Sequence, residues 1–279
     1  DVGALEDILS VGTSAGGARA KAVLAWNRDT GEFRSGQVKV DEGYEHWLLK
    51  FDGVSNNRDK ELADPQGFGK IEYAYYLMAT GAGIDMSECR LHHEGGRSHF
   101  MTRRFDRDGR GRKLHMQSLG AIQHFDFNDP ASYSYEQAIL TIRDLGLGMD
   151  VVEQQYKRAV FNVVARNQDD HVKNISFLMD RSGAWRLSPA YDMAYSYNPS
   201  GSWTRDHQMS LAGKRNDFTH GDLMVFASNV GLKSNKANQA IEDIVDAVAK
   251  WQEFAEQAGV EHSDVSRIEK TFRMNLRGK

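Results

Sequence analysis

A single cysteine, Cys89, stands in a chain of 279 residues, so no internal disulfide can staple the fold. Such scarcity fits a reducing compartment, and a cytoplasmic location is the expectation. No apolar run approaches the ~20 residues that a membrane-spanning helix needs, and no secretory leader is visible, so no membrane partner is expected. The net charge of -4 offers no electrostatic case for autonomous binding to DNA. Internal repeats and low-complexity tracts are missing as well. His92, His93 and His99 flank a turn at Gly95-Gly96 without a cysteine beside them, which makes them structural histidines rather than zinc ligands. Two phosphate-binding signatures are also lacking. Gly17 is followed by Ala18-Arg19 where a Walker A loop needs Lys and Ser/Thr, and no G-x-G-x-x-G occurs. Gly12-Thr13-Ser14-Ala15-Gly16 matches the letters of a serine-hydrolase elbow, but a strand-like run follows it where that elbow needs a helix.

What the chain does contain is Asn167-Gln168-Asp169-Asp170-His171-Val172-Lys173-Asn174, followed by Pro189-Ala190-Tyr191-Asp192. An Asp, an Asn five residues on and a further Asp beyond is the order in which kinase-type phosphotransferases supply a base and two metal ligands. Asp169 could accept the proton of an attacking hydroxyl, or simply orient it. Asn174 and Asp192 offer the hard oxygen ligands that Mg²⁺ takes beside nucleotide phosphates, and Lys173 could steady the transferring group. Read alone, the same letters also describe a solvated loop between a helix (156–164) and a strand (175–179). The order of the other motifs separates the two readings.

Towards the N-terminus, Gly16-Gly17-Ala18-Arg19-Ala20-Lys21 is a turn of small residues whose backbone could approach phosphate oxygens closely. It leads into the apolar run Ala22 to Trp26. Lys50 lies in Trp47-Leu48-Leu49-Lys50-Phe51, a buried-strand pattern in which a lysine is costly unless it meets an anion. In a kinase that anion is the nucleotide plus a helix glutamate, and Glu72 on the helical run 67–79 is the candidate. The alternative is a lysine at the strand edge that snorkels to water. Ser98 to Arg107 begins as a strand and then turns polar, the place for a crossover holding adenine through backbone groups.

In these motifs and their order the chain resembles the HipA family of serine/threonine kinases, the toxin components of bacterial toxin–antitoxin pairs. The matching residues are Gly16 to Lys21, Trp47 to Phe51, Arg104-Phe105-Asp106-Arg107, Asp169 to Asn174 and Pro189 to Asp192. The resemblance implies ATP and Mg²⁺ as cofactors, Asp169 as general base, Asn174 and Asp192 as metal ligands, and Lys50 on the phosphates. It puts His171, Lys173 and Tyr191 in the nucleotide pocket, with Phe105 and Asp106 near adenine and ribose. Arg103 stands where the family often carries a glutamate, and backbone contacts to adenine would make that harmless. Ser14 matches an autophosphorylated serine, where an added dianion would disrupt a phosphate-binding turn by repulsion. The implied partners are a protein substrate such as an aminoacyl-tRNA synthetase and a HipB-like helix-turn-helix antitoxin. DNA would be reached only through that antitoxin. An additional N-terminal subdomain, missing or on a separate chain, is a further expectation.

The expected fold is α+β, bilobal and kinase-like. A small lobe over residues 1–104 would hold an antiparallel sheet and one main helix, and a mostly helical large lobe would follow over 105–279. Helical spacing covers 114–124, 133–145, 151–165, 221–230 and 236–257. The connection after Asp192, with Asn198 to Trp203, is either a substrate-positioning segment or a surface loop. Two other functions fit the same scaffold: a small-molecule or lipid phosphotransferase, and a non-catalytic co-repressor bound by an antitoxin. The complete set of Lys50, Asp169, Asn174 and Asp192 argues against the co-repressor, because a binding module has no need of a carboxylate base.

Overall fold

A computed structural model describes residues 20–38, 42–53 and 66–278. The glycine turn at Gly16, Gly17, Ala18 and Arg19, and Ser14 with it, lies outside the described residues.

The first half builds an antiparallel sheet of order β2-β1-β3-β5-β4, from β1 (Lys21–Asn27), β2 (Phe33–Ser35), β3 (Tyr44–Lys50), β4 (Cys89–Glu94) and β5 (Arg97–Arg103). Its register explains why one lysine is buried. Side chains alternate between faces along a strand. Leu24 sits opposite Trp47, Ala22 opposite Leu49, and Leu49 opposite Met101, and these form a small apolar cluster on one face. Lys50, paired with Phe100, therefore points to the other face.

Against that other face lies α1 (Phe68–Gly81). Its start is capped from a distance, because the Asp52 carboxylate accepts the backbone N–H of Gly67 at 3.0 Å. Gly69 must be glycine here: a Cβ would meet the carbonyl oxygen of Ser98 at 2.3 Å. Ile71, Ala74, Tyr75, Met78 and Ala79 fall at the i, i+3, i+4, i+7, i+8 spacing of one buried helix face. That face packs into the second half of the chain. Tyr75 meets Phe161 and Trp251 edge-on and donates its hydroxyl to the carbonyl of Ala165 at 2.5 Å.

The second half holds β6 (His115–Ser118), α2 (Leu119–Gln123), α3 (Tyr135–Asp144), α4 (Met149–Val164), β7 (Ser176–Met179), β8 (Trp185–Leu187), α5 (His220–Asn229), α6 (Ser234–Ala249), α7 (Trp251–Ala258) and α8 (His262–Glu269). A short 3₁₀ turn at Met274–Leu276 follows α8. β6, β7 and β8 form a second antiparallel sheet. The architecture is α+β, as expected, and no helix among the described residues is long and apolar enough to cross a membrane.

Two of the expected helices are corrected. Over 114–124 the chain first runs as β6, because His115 to Ser118 pair with Ser176 to Met179, and only then forms α2, capped by Ser118 Oγ. A partner strand overrides local spacing there. Over 236–257 the helix breaks at Lys250 into α6 and α7. The break lets Trp251 enter the core between Tyr75 and Phe272, which no glycine or proline announces.

Candidate active site

Lys50 and Glu72 come together from strand and helix, with Lys50 Nζ 2.5 Å from Glu72 Oε1. The ammonium also contacts Asp192 Oδ1 and lies 5.5 Å from the centroid of the Phe100 ring. Burial alone would push the lysine towards neutrality, but Asp192 and Glu72 outweigh it and hold its pKa above the ordinary value. Burial would likewise raise the Asp192 carboxyl. Lys50 and Lys21 more than offset this and keep it well below the usual range, so Asp192 is ionised. Lys21, which is opposite Lys50 in the sheet register, thus belongs to the same field. Asp192 itself adopts a left-handed backbone at φ 52°, a conformation that Asp tolerates better than most residues.

The loop after α4 supplies the other groups. Asp169 is fixed at three points. Its N–H donates to Ser196 Oγ at 3.0 Å, its carbonyl accepts from Asn174 Nδ2 at 2.8 Å, and its Oδ1 accepts from the indole of Trp203 at 2.7 Å. Its side chain remains 45% exposed, and His171 Nε2 lies 3.8 Å from Oδ1. Burial lifts this carboxyl above its ordinary value against the pull of His171 and Trp203. Asn174, Asp192 and His171 line one cavity together with Arg158, Asn162 and Tyr191. Asn174 spends its amide nitrogen on Asp169, which leaves its oxygen as the atom that could coordinate a metal. An ionised carboxylate and an amide oxygen on one cavity suit Mg²⁺ beside phosphates.

The neighbouring carboxylate has a different task. Asp170 is buried and accepts from Tyr135 Oη at 2.7 Å, the Gln208 backbone N–H at 2.8 Å and His207 Nδ1 at 2.8 Å. His207 Nε2 faces Arg273 Nη1 at 3.1 Å. A guanidinium can only donate, so Nε2 accepts and the imidazole proton sits on Nδ1. Arg273 also donates to the Val163 carbonyl at 2.8 Å, tying the segment after α8 to the last turn of α4, which leads into the Asp169 loop.

The remaining expected residues divide. Tyr191 stacks obliquely on Phe105, with centroids 5.4 Å apart, and donates to the Lys173 carbonyl at 2.5 Å. Because that hydroxyl has one proton, Ser176 must be the donor in its contact with Tyr191. The Lys173 ammonium lies over the Phe127 ring at 3.0 Å. Asp106 is gripped by Arg104 at 2.8 and 2.6 Å and by Arg107 at 2.6 Å, so its carboxylate organises the crossover itself. Arg103 shares the sheet face of Trp47, opposite to that of Lys50. Its guanidinium joins a surface cluster with Glu45 at 3.6 Å and Glu88 at 4.0 Å, so the structure does not bring it to the Lys50 site. The N–H groups of Arg103 and Arg104 are taken by Glu88 and His46 carbonyls, which leaves neither for an adenine ring.

Ser196, Trp203, His207, Arg273 and Arg158 are absent from the motif-based set of site residues. Arg158 is buried in the cavity wall, donates to the Ser188 carbonyl at 2.8 Å, and is pushed down by burial to about 10. None of the five sits in a motif. A tryptophan in a polar connection was the one available signal.

Comparison with known proteins gives this arrangement a context. A protein from Haemophilus influenzae that bears the provisional name of a kinase is 23% identical over 74% of this chain and 68% of its own length. A second, from Sinorhizobium fredii and also provisionally named a kinase, is 25% identical over 65% of this chain and 46% of its own. Among solved structures, the HipA chain in a Shewanella oneidensis MR-1 complex of HipA, HipB and operator DNA has a TM-score of 0.69 at 17% identity. The alignment covers 92% of this chain and 62% of that one, so the fold is shared and the other chain is longer. The model of the HipA-like C-terminal domain matches residues 13–252, a span that contains Lys50, Glu72, Asp169, Asn174 and Asp192 and stops short of Arg273, and the chain belongs to that family.

Proposed function

We propose that the chain is an ATP- and Mg²⁺-dependent protein serine/threonine kinase, the toxin of a HipA-type toxin–antitoxin pair. The observation that carries this reading is Lys50 clasped between Glu72 and Asp192, with Asp169 and Asn174 presented on the adjoining loop. A buried ammonium with two carboxylates is a phosphate site in waiting. Nucleotide phosphates would replace Asp192 on Lys50 while Glu72 keeps the lysine oriented. Asn174 and Asp192 would hold the metal, which supplies neutralisation of phosphate charge. Lys21 and Lys173 add positive charge around the same carboxylates. Asp169, partly open to solvent, would take the proton of the acceptor hydroxyl.

A small nucleotide-binding lobe over 1–104 and a catalytic lobe over 105–279 belong to this proposal. So does Ser14 as the self-inhibitory acceptor. An aminoacyl-tRNA synthetase as target rests on the family resemblance. A HipB-like antitoxin, through which operator DNA is reached, is supported by the HipA–HipB–DNA complex that shares the fold. A cytoplasmic location follows from that reading.

Intact mass before and after incubation with ATP and Mg²⁺ tests the function. Wild type should gain one phosphate mapped to Ser14, and Asp169→Ala should gain none. A wild-type chain that begins unphosphorylated, binds ATP and stays at its starting mass would refute self-phosphorylation.

A further inference from the structure

Trp203 lies in the connection between Asp192 and α5, a segment without helix or strand, yet the chain around it is held firmly. Gln168, fully buried on the catalytic loop, donates through Nε2 to the carbonyls of Thr204 at 3.2 Å and Arg205 at 2.7 Å. Gln208 Nε2 donates to the carbonyl of Trp203 itself. Ser196, earlier in the same connection, accepts the N–H groups of both Gln168 and Asp169 and donates to Asn167 Oδ1 at 2.9 Å. The loop and the connection are one hydrogen-bonded body, and a buried amide is costly to unpair. Trp203 is therefore not a lid resting on Asp169. It is part of the frame.

The consequence for Asp169 is asymmetric. Oδ1 is held by the indole at 2.7 Å, while Oδ2 accepts no hydrogen bond among the described residues. A carboxylate with its backbone and one oxygen fixed presents the other oxygen in one direction. We propose that Trp203 is a positioning residue for phosphoryl transfer: its indole N–H fixes the rotation of the Asp169 carboxylate so that Oδ2 faces the acceptor hydroxyl. This rests on the kinase reading above. In the step it serves, the acceptor oxygen bonds to the γ-phosphorus as the bond to the β-bridging oxygen breaks. ADP leaves with the electron pair, and the acceptor proton passes to Asp169 Oδ2. Among the described residues Trp203 makes no hydrogen bond to Lys50, Asn174 or Asp192, so its effect falls on the transfer and not on nucleotide binding.

The test replaces Trp203 by 3-benzothienylalanine, which keeps the ring shape and lacks only the N–H, and separately makes Trp203→Phe. Single-turnover transfer of labelled phosphate from ATP·Mg²⁺ to the chain itself, ATP·Mg²⁺ affinity and melting temperature are measured for each. Loss of orientation at a reacting group costs about 10- to 100-fold in rate. Both variants should slow to that extent with unchanged ATP affinity, and the benzothienyl chain should melt with wild type. Wild-type rates in the benzothienyl chain would overturn the role of Trp203 while leaving the kinase reading intact. A fall in rate, affinity and melting temperature together would make Trp203 structural only, and overturn the proposal. A wild-type chain that binds ATP·Mg²⁺ and transfers nothing would remove the kinase reading and the proposal with it.

Discussion

The two halves of the molecule hold their functional side chains by different means. In the five-stranded sheet the separate apolar cluster is small, with Leu24, Trp47, Leu49 and Met101 at its centre, and Lys50 points away from it. Lys50 is positioned by charge, through Glu72 and Asp192. In the helical half the core is much larger and takes in the buried face of α1. There the Asp169–Asp170 loop is positioned by a web of buried hydrogen bonds from Tyr135, Asn162, Gln168, His207 and Arg273, much of it centred on the Asp170 carboxylate. On the proposed reading the site joins an adjustable side, where ion pairs would be exchanged for phosphate, to a fixed side that would aim a base. Because Glu72 rides on α1, the adjustable side is anchored in the core of the fixed one.

Cutting the larger core should have the broadest effect. Trp251→Ala removes a fully buried ring that touches Tyr75 on α1, and should cost about 3–5 kcal/mol. Denaturant melts followed by hydrogen exchange should show protection lost in sheet and helices alike. Leu49→Ala, in the sheet cluster, should instead lower protection in β1, β3 and β5 while α4 and α6 keep theirs. Equal losses throughout would show that the halves are one cooperative unit.

Lys50→Met attacks the charged side directly. It leaves Glu72 buried without its cation and should destabilise by about 3 kcal/mol, with ATP binding lost in a titration. The triad also sets a pH dependence. The Asp192 carboxyl is depressed in the folded state, so its contribution is complete above its unfolded value, about 4, and is lost as pH falls below that towards the folded one. Acid melts of wild type should therefore steepen below pH about 4, and Lys50→Met should flatten that limb. An unchanged limb would exclude Asp192 as its source.

Smaller effects mark the seam and the surface. Gly69→Ala would drive a methyl into the Ser98 carbonyl, and should cost about 1–3 kcal/mol despite the better helix propensity of alanine. Ser134→Ala removes one half of the capping box at the start of α3 and should cost about 1 kcal/mol, with no change in ATP affinity.

Much of this site was readable in order along the chain. A lysine inside an apolar strand, a glutamate on a helix with a clear buried face, and an Asp-x₄-Asn followed by Asp are patterns that chemistry restricts tightly, and the structure brings Lys50, Glu72 and Asp192 into contact. Arg103 was less readable. Strand alternation sends it to the Trp47 face, but that parity follows from the register with β3, which one strand does not display. The segment 114–124 failed for the same reason, since its strand exists only through β7. Trp203 could be seen in a polar connection, but what its indole meets could not.

The amino-acid order by itself determined which side chains are candidates for chemistry, because a buried lysine, a base and hard oxygen ligands leave few substitutes. It determined the buried face of α1 as well, since helical spacing is local. The tertiary structure alone decided that Asp170 is a strut and Asp169 the presented carboxylate, two adjacent residues of the same type. Their difference lies in partners drawn from Tyr135, Trp203, His207 and Gln208, far along the chain, which fill the lone pairs of one carboxylate and leave an oxygen of the other facing outward. Hydrogen-bond saturation is a property of what surrounds a group in space, and sequence spacing carries no record of it.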